Sequence, residues 1–438
     1  MINAGEYRGG ENFDLRQMLV AGRHMRLAER TEFFQAFISG LASRGQHMWM
    51  RQIVSKADRL VRVHDPATGE VRSMLMFGSN NYLGLAAHPY VRERAVGALR
   101  EYGAGIGGPP LLNGYTQLHA ELEERLAAMK ETEAALLFSS GYNANVGLVV
   151  GLAQKQDLVL YDAYSHASFC DGLRLAGVPS MHFGHNAVND LEHLLQQESA
   201  RTSGDLFVGV EGVYSMDGDL APLDRIVPLC KRYGATLMLD DAHGTGVMGQ
   251  RGRGTAEFFG LDGAVPLTMG TFSKTFAVTG GFVAGPAALI NYLRFFARSY
   301  MFSASLPPVV VATVLAGMDV IEHESWLLDD LRRNVAYAAE GLQQAGFDVR
   351  PQAAIIPLRV PDWMDIRQAG RLFHECGMFV NSVEYPAVPK AEQRFRVSIM
   401  ATHRREDIDR LVETAQAVWK AMRKTRPRED AHVAGRAA

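Results

Sequence analysis

Cysteine is scarce: three residues, Cys170, Cys230 and Cys376, are spread through 438 positions. That spacing offers neither a CxxC metal knuckle nor a disulfide framework, and it fits a reducing compartment. Charge of either sign is not in excess. Lys and Arg number 45 against 48 Asp and Glu, a net charge of −3, which supplies no general field for nucleic acid or anionic lipid. The short basic run Arg423, Lys424, Arg426, Arg428 reads as a solvated tail. No uninterrupted apolar run approaches the roughly 18 residues of a membrane-spanning helix. The first twenty residues carry Glu6, Arg8, Glu11, Asp14 and Arg16 with no apolar segment, so no secretory signal is expected. These absences predict a cytoplasmic chain without a transmembrane segment. Glycine, by contrast, is plentiful: 43 residues, about a tenth of the chain, against a usual share of about 7%.

The pattern before residue 70 is helical, with Phe33, Phe34, Phe37, Ile38 and Leu41 at the spacing of a buried helix face, and predicts an N-terminal arm over 1–70. The stretch from His64 to Gly69 then makes a turn. From about residue 130 to 290 short apolar runs alternate with helix-length segments: Ala134 to Phe138, Leu158 to Tyr161, Leu206 to Val210, Thr236 to Leu239, Pro266 to Gly270 and Gly281 to Ala284. Such alternation predicts βα units and a mainly parallel sheet, hence an α/β domain over 71–310. A smaller α+β domain over 311–425 follows, with one long helix through Val320 to Ala345. Its short strands fall around Ala354 to Val360, Met378 to Asn381 and Phe395 to Ile399, and 426–438 reads as a tail.

Ligands of open parallel sheets bind beyond the carboxyl ends of the strands. Here successive apolar runs are followed by Asp162 and His166, by Glu211 and Ser215, by Asp240 and His243, and by Thr271 and Lys274. One polar residue after a strand is usually a turn or a helix cap. Four consecutive instances predict a shared rim. Lys274 is the only charged residue between Gly263 and Leu293. Isolation in apolar surroundings lowers an amine's pKa and suits it to imine chemistry, although a snorkelling lysine at a strand end is the plain alternative. Asp240 closes the most apolar run and requires a cationic partner there; a protonated pyridine nitrogen is one. The loop Ser139-Ser140-Gly141-Tyr142-Asn143-Ala144-Asn145, between a strand and a helix, suits a phosphate.

Two other chemistries stay open on these residues. A dinucleotide loop at Gly103 to Gly108 lacks the preceding strand it needs. A metal-dependent hydrolase would use Asp240, Asp241 and His243 with His166 or His185, and leaves Lys274 without a task. A catalytically dead binding subunit would not need Lys274 or Asp240.

The chain resembles the α-oxoamine synthases, pyridoxal-phosphate enzymes of the aspartate-aminotransferase fold that include serine palmitoyltransferase and 8-amino-7-oxononanoate synthase. The resemblance runs from about Phe77 to about Val412, through Ser79 to Leu85, Asn113 to Glu123, Ser165 to Ser168, Glu211 to Asp219, Asp240 to Gly246, Gly270 to Lys274 and Phe302 to Pro308. It implies fold-type I, with a large cofactor domain and a smaller C-terminal one. It implies pyridoxal 5'-phosphate held covalently by Lys274, with Asp240 on the ring nitrogen, His166 on the ring face, and Ser215 and His243 on the 3-hydroxyl side. Gly141, Tyr142 and Thr271 would hold the phosphate, with Ser303 arriving from the other subunit of a homodimer. Asn80, Glu211 and Arg396 would line the substrate pocket, Arg396 clamping a carboxylate. The implied reaction condenses a small amino acid with an acyl thioester of coenzyme A or a carrier protein and releases carbon dioxide, with serine placed ahead of alanine or glycine. Gly107-Gly108-Pro109-Pro110 departs from the family, which usually has a small hydroxyl residue or an arginine near the amino-acid pocket. No metal and no nucleic acid is expected.

Overall fold

Strands that are apolar at every position, and not only at alternate ones, bury both faces, and the sheet at the centre of this chain is built from them. The computed structural model describes residues 15–424, so the expected tail over 426–438 lies outside the described residues. The strands are β1 (Leu60–His64), β2 (Val71–Met76), β3 (Ala134–Phe138), β4 (Leu158–Asp162), β5 (Ser180–Phe183), β6 (Leu206–Glu211) and β7 (Thr236–Asp240). They continue with β8 (Leu267–Thr271), β9 (Gly281–Gly285), β10 (Ile355–Arg359), β11 (Met378–Phe379), β12 (Asn381–Val383) and β13 (Arg394–Ser398).

Seven strands form the large sheet, in the order β3-β9-β8-β7-β6-β4-β5. Strands β4 to β8 are parallel, β9 is antiparallel to both neighbours, and β3 therefore points with the parallel set. Successive side chains leave opposite faces. Phe207 and Met238 enter one core with Phe169, Leu173 and Ile290, while Val208, Leu237 and Leu239 enter the other with Leu191, Leu195 and Ile226. Helices cover both faces, and the sheet is mixed only through β9.

Four expectations need correction. Strand β5 is absent from the sequence reading because it is an edge strand with Ser180, Met181 and His182 exposed and Phe183 alone buried, so it contains no apolar run. The region before residue 70 is not helical throughout: helices Leu15–Gly22 and Leu27–Ser43 are followed by β1, which forms a hairpin with β2 around Asp65 to Gly69. The long helix expected through Val320 to Ala345 is two, Pro308–His323 and Trp326–Gln344, because Glu324 leaves the helical region at φ −117° and ψ 56°. The single strand expected at Met378 to Asn381 divides at Val380. Strand β11 pairs with β2, whereas β12 pairs with β13 in the sheet β10-β13-β12.

The smaller sheet is fixed to its helices by aromatic packing. Phe395 of β13 lies 4.8 Å from Phe373 and 6.0 Å from Trp419, centroid to centroid. It has no exposed surface. Phe395→Ala should cost about 3–5 kcal/mol. Differential calorimetry checks this as a lowered melting temperature, and an unchanged transition would contradict the packing role.

Candidate active site

Because β3, β4, β6, β7 and β8 point the same way, their carboxyl ends share one rim, and Asp162, Glu211, Asp240 and Thr271 are each the last residue of a strand. Glu211 and Asp240 lie directly opposite one another in register. The rim therefore gathers the residues that the alternating pattern brought to notice.

Asp240 and Asp241 face different surroundings. Asp241 is tied beneath the rim by Lys130, whose ammonium donates to its Oδ2 at 2.8 Å and to Thr245 Oγ1 at 2.9 Å. Both ends of this pair are buried. Glycine is required around it, since a Cβ on Gly244 or Gly254 would stand 2.0 or 1.9 Å from an Asp241 oxygen. Lys130 escapes a motif search because it ends a helix 111 positions away and its sequence neighbourhood is ordinary.

Asp240 has no such cation. Its Oδ2 accepts from Asn145 Nδ2 at 2.7 Å and its Oδ1 from the Ala242 N–H at 3.1 Å. The second hydrogen of Asn145 Nδ2 goes to Ser168 Oγ at 2.9 Å, and Ser168 Oγ lies 2.7 Å from His166 Nδ1. The Ser168 N–H also donates to that nitrogen, at 3.2 Å, so Nδ1 is an acceptor and the proton of a neutral His166 sits on Nε2. His166 itself is exposed in the single chain. Asn145 and Ser168 both lie in stretches notable in the sequence, but their support of Asp240 and His166 is visible only in the folded chain.

Lys274 follows β8 and is half-buried. Burial lowers its amine more than Asp240 and Glu211 raise it, leaving it at about 8. Burial and the neighbouring Asp240 push the Glu211 carboxyl well above the usual carboxylate range. Its Oε1 is buried with no hydrogen-bond partner. Burial, with Lys274 and Arg396 nearby, holds His243 well below the ordinary imidazole value.

The small sheet extends a cation over the same rim. Arg396, on β13, is buried, and every hydrogen bond it makes is to a neutral acceptor: Ser215 carbonyl at 2.6 Å, Asn80 Oδ1 at 2.9 Å, Ser398 Oγ at 3.0 Å and Tyr82 Oη at 3.5 Å. Arg394, two residues earlier and also buried, is paired with Asp217 and with Glu392. The contrast leaves Arg396 as a buried cation with room for an anion. Asn80 is placed by the turn that ends at Gly84, whose φ of 74° and closeness to Thr402 exclude a side chain.

The loop after β3 has the form of an anion cradle. Ser140 caps helix Gly141–Leu152 by accepting from the Asn143 N–H, which leaves the Gly141 and Tyr142 N–H groups at the open helix end. A Cβ on Gly141 would meet Thr271 Oγ1 at 2.9 Å, and one on Gly281 would meet Gly141 Cα at 2.7 Å. Ser303 Oγ lies 3.1 Å from Ser139 Oγ of its own chain. The carboxamide of Asn113 occupies the place of a Gly108 side chain, within 1.8 Å of its Cβ.

The residues of the hydrolase reading do not converge. Asp241 is engaged by Lys130, and His185 is held between Asp162 at 3.0 Å and Asp219 at 2.8 Å. Among the described residues no group of three His, Cys, Asp or Glu side chains could hold a metal ion. Pyridoxal phosphate, in contrast, matches what is present: a glycine-walled helix end for its phosphate, a buried carboxylate lacking a cation for its ring nitrogen, and an amine of lowered pKa on the same rim.

The family model for aminotransferase class I and II matches residues 72–414. A serine palmitoyltransferase of Bacteriovorax stolpii is 43% identical over 343 residues, 78% of this chain and 81% of that protein. An 8-amino-7-oxononanoate synthase of Geobacter sulfurreducens is 42% identical over 356 residues, 81% of this chain and 90% of that protein. A solved serine palmitoyltransferase of S. paucimobilis with bound pyridoxal phosphate and myriocin superposes with a TM-score of 0.85 at 30% identity, covering 91% of this chain and all of that one. The chain belongs to the class I and II aminotransferase family and, within it, to the α-oxoamine synthases, pyridoxal-phosphate-dependent acyltransferases.

Proposed function

We propose that the enzyme joins a small amino acid, serine ahead of alanine or glycine, to an acyl thioester of coenzyme A or a carrier protein. An α-oxoamine, carbon dioxide and the free thiol are formed. The observation that carries this reading is Arg396, a buried guanidinium with only neutral partners. A substrate carboxylate supplies the missing charge, and the guanidinium fork fixes its orientation. Serine is placed first because serine palmitoyltransferases are among the relatives in both sequence and structure.

Pyridoxal phosphate, when bound, supplies an electron sink for negative charge at the α-carbon. Asp240 would hold a proton on its ring nitrogen. Lys274, at about 8 as a free amine, is suited first to hold the cofactor and then to take the α-proton. Ser215 and His243 would hold the 3-oxygen, His166 the ring face, and Gly141, Tyr142 and Thr271 the phosphate. Asn80 orients Arg396 by accepting its Nη1, and Glu211, whose carboxyl burial and Asp240 push toward the acid form, lines the pocket with less negative charge to repel the substrate carboxylate. In this reading 71–310 is the cofactor unit, 311–425 carries the carboxylate clamp and 1–70 is an arm.

A homodimer fits the surface beside Ser303. Phe295, Phe296 and Phe302 are 60, 54 and 70% exposed, a concentration of apolar area that a second subunit would cover. Among the described residues no helix is long and apolar enough to cross a membrane, and the three cysteines are unpaired, in keeping with a cytoplasmic setting.

Three measurements check this reading. Titrating the visible band of the holoenzyme with single amino acids should give a saturable change for the small ones, tightest for serine. Arg396→Lys should weaken that binding about 10- to 100-fold, the worth of a bidentate charged hydrogen bond, and a flat response to every small amino acid would overturn the proposal. The rate at which apoprotein captures pyridoxal phosphate should rise with pH and level off above about 8, because the neutral amine is the nucleophile and Lys274 is deprotonated above that value. Lys274→Ala should form no lysine-linked band at any pH; a rate still climbing beyond pH 10 would place the attachment elsewhere. Phe296→Glu with Phe302→Glu should convert the dimer to monomer in sedimentation and reduce activity in the same samples.

A further inference from the structure

Tyr82 lies at the centre of the site yet has no task in the reaction as described. It is 1% exposed. Its hydroxyl is 2.8 Å from His243 Nδ1, 3.2 Å from Asn80 Oδ1 and 3.5 Å from Arg396 Nη2. His243 is buried, and its Nε2 makes no hydrogen bond within the described chain. Lys274, Arg396 and His166 all face it as positive or potentially positive groups, and none supplies an anion that would hold an imidazolium. The ring is therefore neutral and carries one proton, on one of two nitrogens.

A hydroxyl has one hydrogen and two lone pairs. Arg396 Nη2 can only donate, so it takes a lone pair and polarises the O–H bond toward a stronger donor. Asn80 Oδ1 accepts from Arg396 Nη1 at 2.9 Å and keeps a second lone pair, but at 3.2 Å it is the farther acceptor for the hydroxyl hydrogen. The bare acceptor at the shortest distance is Nδ1. We propose that Tyr82 is a positioning residue: its hydroxyl donates to His243 Nδ1 and so holds His243 with its proton on Nε2, directed at the 3-oxygen of the cofactor. Arg396, Tyr82 and His243 thereby form one line of hydrogen bonds from the carboxylate clamp to the ring. The assignment rests on reading this rim as the pyridoxal-phosphate site.

The test uses the holoenzyme and the protonation midpoint of its visible band. An N–H donated to the 3-oxygen drains charge from it and makes the neighbouring imine nitrogen harder to protonate. Tyr82→Phe keeps the ring and removes the hydroxyl, and should raise the midpoint by about half a pH unit or more. His243→Asn should raise it as well, and the double variant should match His243→Asn alone, because Tyr82 acts only through His243. An unmoved midpoint in Tyr82→Phe, or shifts that add in the double variant, would overturn the assignment. A second measurement needs no folded Tyr82 variant: nitrogen NMR of histidine-labelled wild-type holoenzyme, with the His243 signals identified by their loss in His243→Asn. The expected pair is a protonated Nε2 and a bare Nδ1, and the reverse pair refutes the proposal. Wild-type protein that forms no visible band at all refutes the cofactor reading instead, so the two failures are distinguishable.

Discussion

Two adjacent carboxylates at the end of β7 set the terms for everything around them. Each is buried, and a buried charge left without a partner costs several kcal/mol. Asp241 is satisfied within the chain, by Lys130 and by the N–H and hydroxyl groups of Thr255 and Thr245. Asp240 is not, since an amide and one backbone N–H stabilise a carboxylate without neutralising it. Folding thus leaves one negative charge at the rim with no cation in contact with it, Lys274 acting on it only from a distance. The arrangement is asymmetric by construction: Lys130 absorbs the inner charge, so it does not compete for the outer one.

The same burial works on every ionisable group near that charge and decides which remain charged. Lys274 is lowered to about 8, His243 is driven toward neutrality and Glu211 is driven toward its acid form. Arg396 brings a guanidinium to the pocket from the other sheet. Before any ligand enters, the pocket is therefore organised around one fixed anion and one fixed cation, carried by different sheets. Between them stand groups that accept or donate protons at modest cost, which is what proton transfer near neutral pH demands.

Much of this was legible in the sequence, and the exceptions have physical reasons. The six apolar runs between residues 134 and 285 became strands because both of their faces are buried, which is the condition under which composition alone identifies a strand. Strand β5 failed that condition as an edge. The direction of β9 was not visible either, since an apolar pentapeptide looks the same whichever way it runs. At the site, Lys274, Asp240 and His243 stood out through isolation or through following a strand. Lys130 did not, and Asn145, Ser168 and Tyr82 lay inside notable stretches without a visible task, because all four act through distances that exist only after folding: 2.8 Å from Lys130 to Asp241, or 2.8 Å from Tyr82 to His243. A motif can contain a supporting residue without showing what it supports.

The reversed strand has a consequence for the shape of the rim. Every parallel strand arrives there with its last residue and must continue into a loop, which fills space. Strand β9 begins there, with Gly281 opposite both Phe138 and Thr271. Its first residue has no side chain, and its backbone lies against the backbone of Gly141. A glycine at the start of the reversed strand thus lets the first turn of helix Gly141–Leu152 lie against the sheet. The closeness of the helix end at Gly141 to the sheet depends on the absence of that one side-chain carbon.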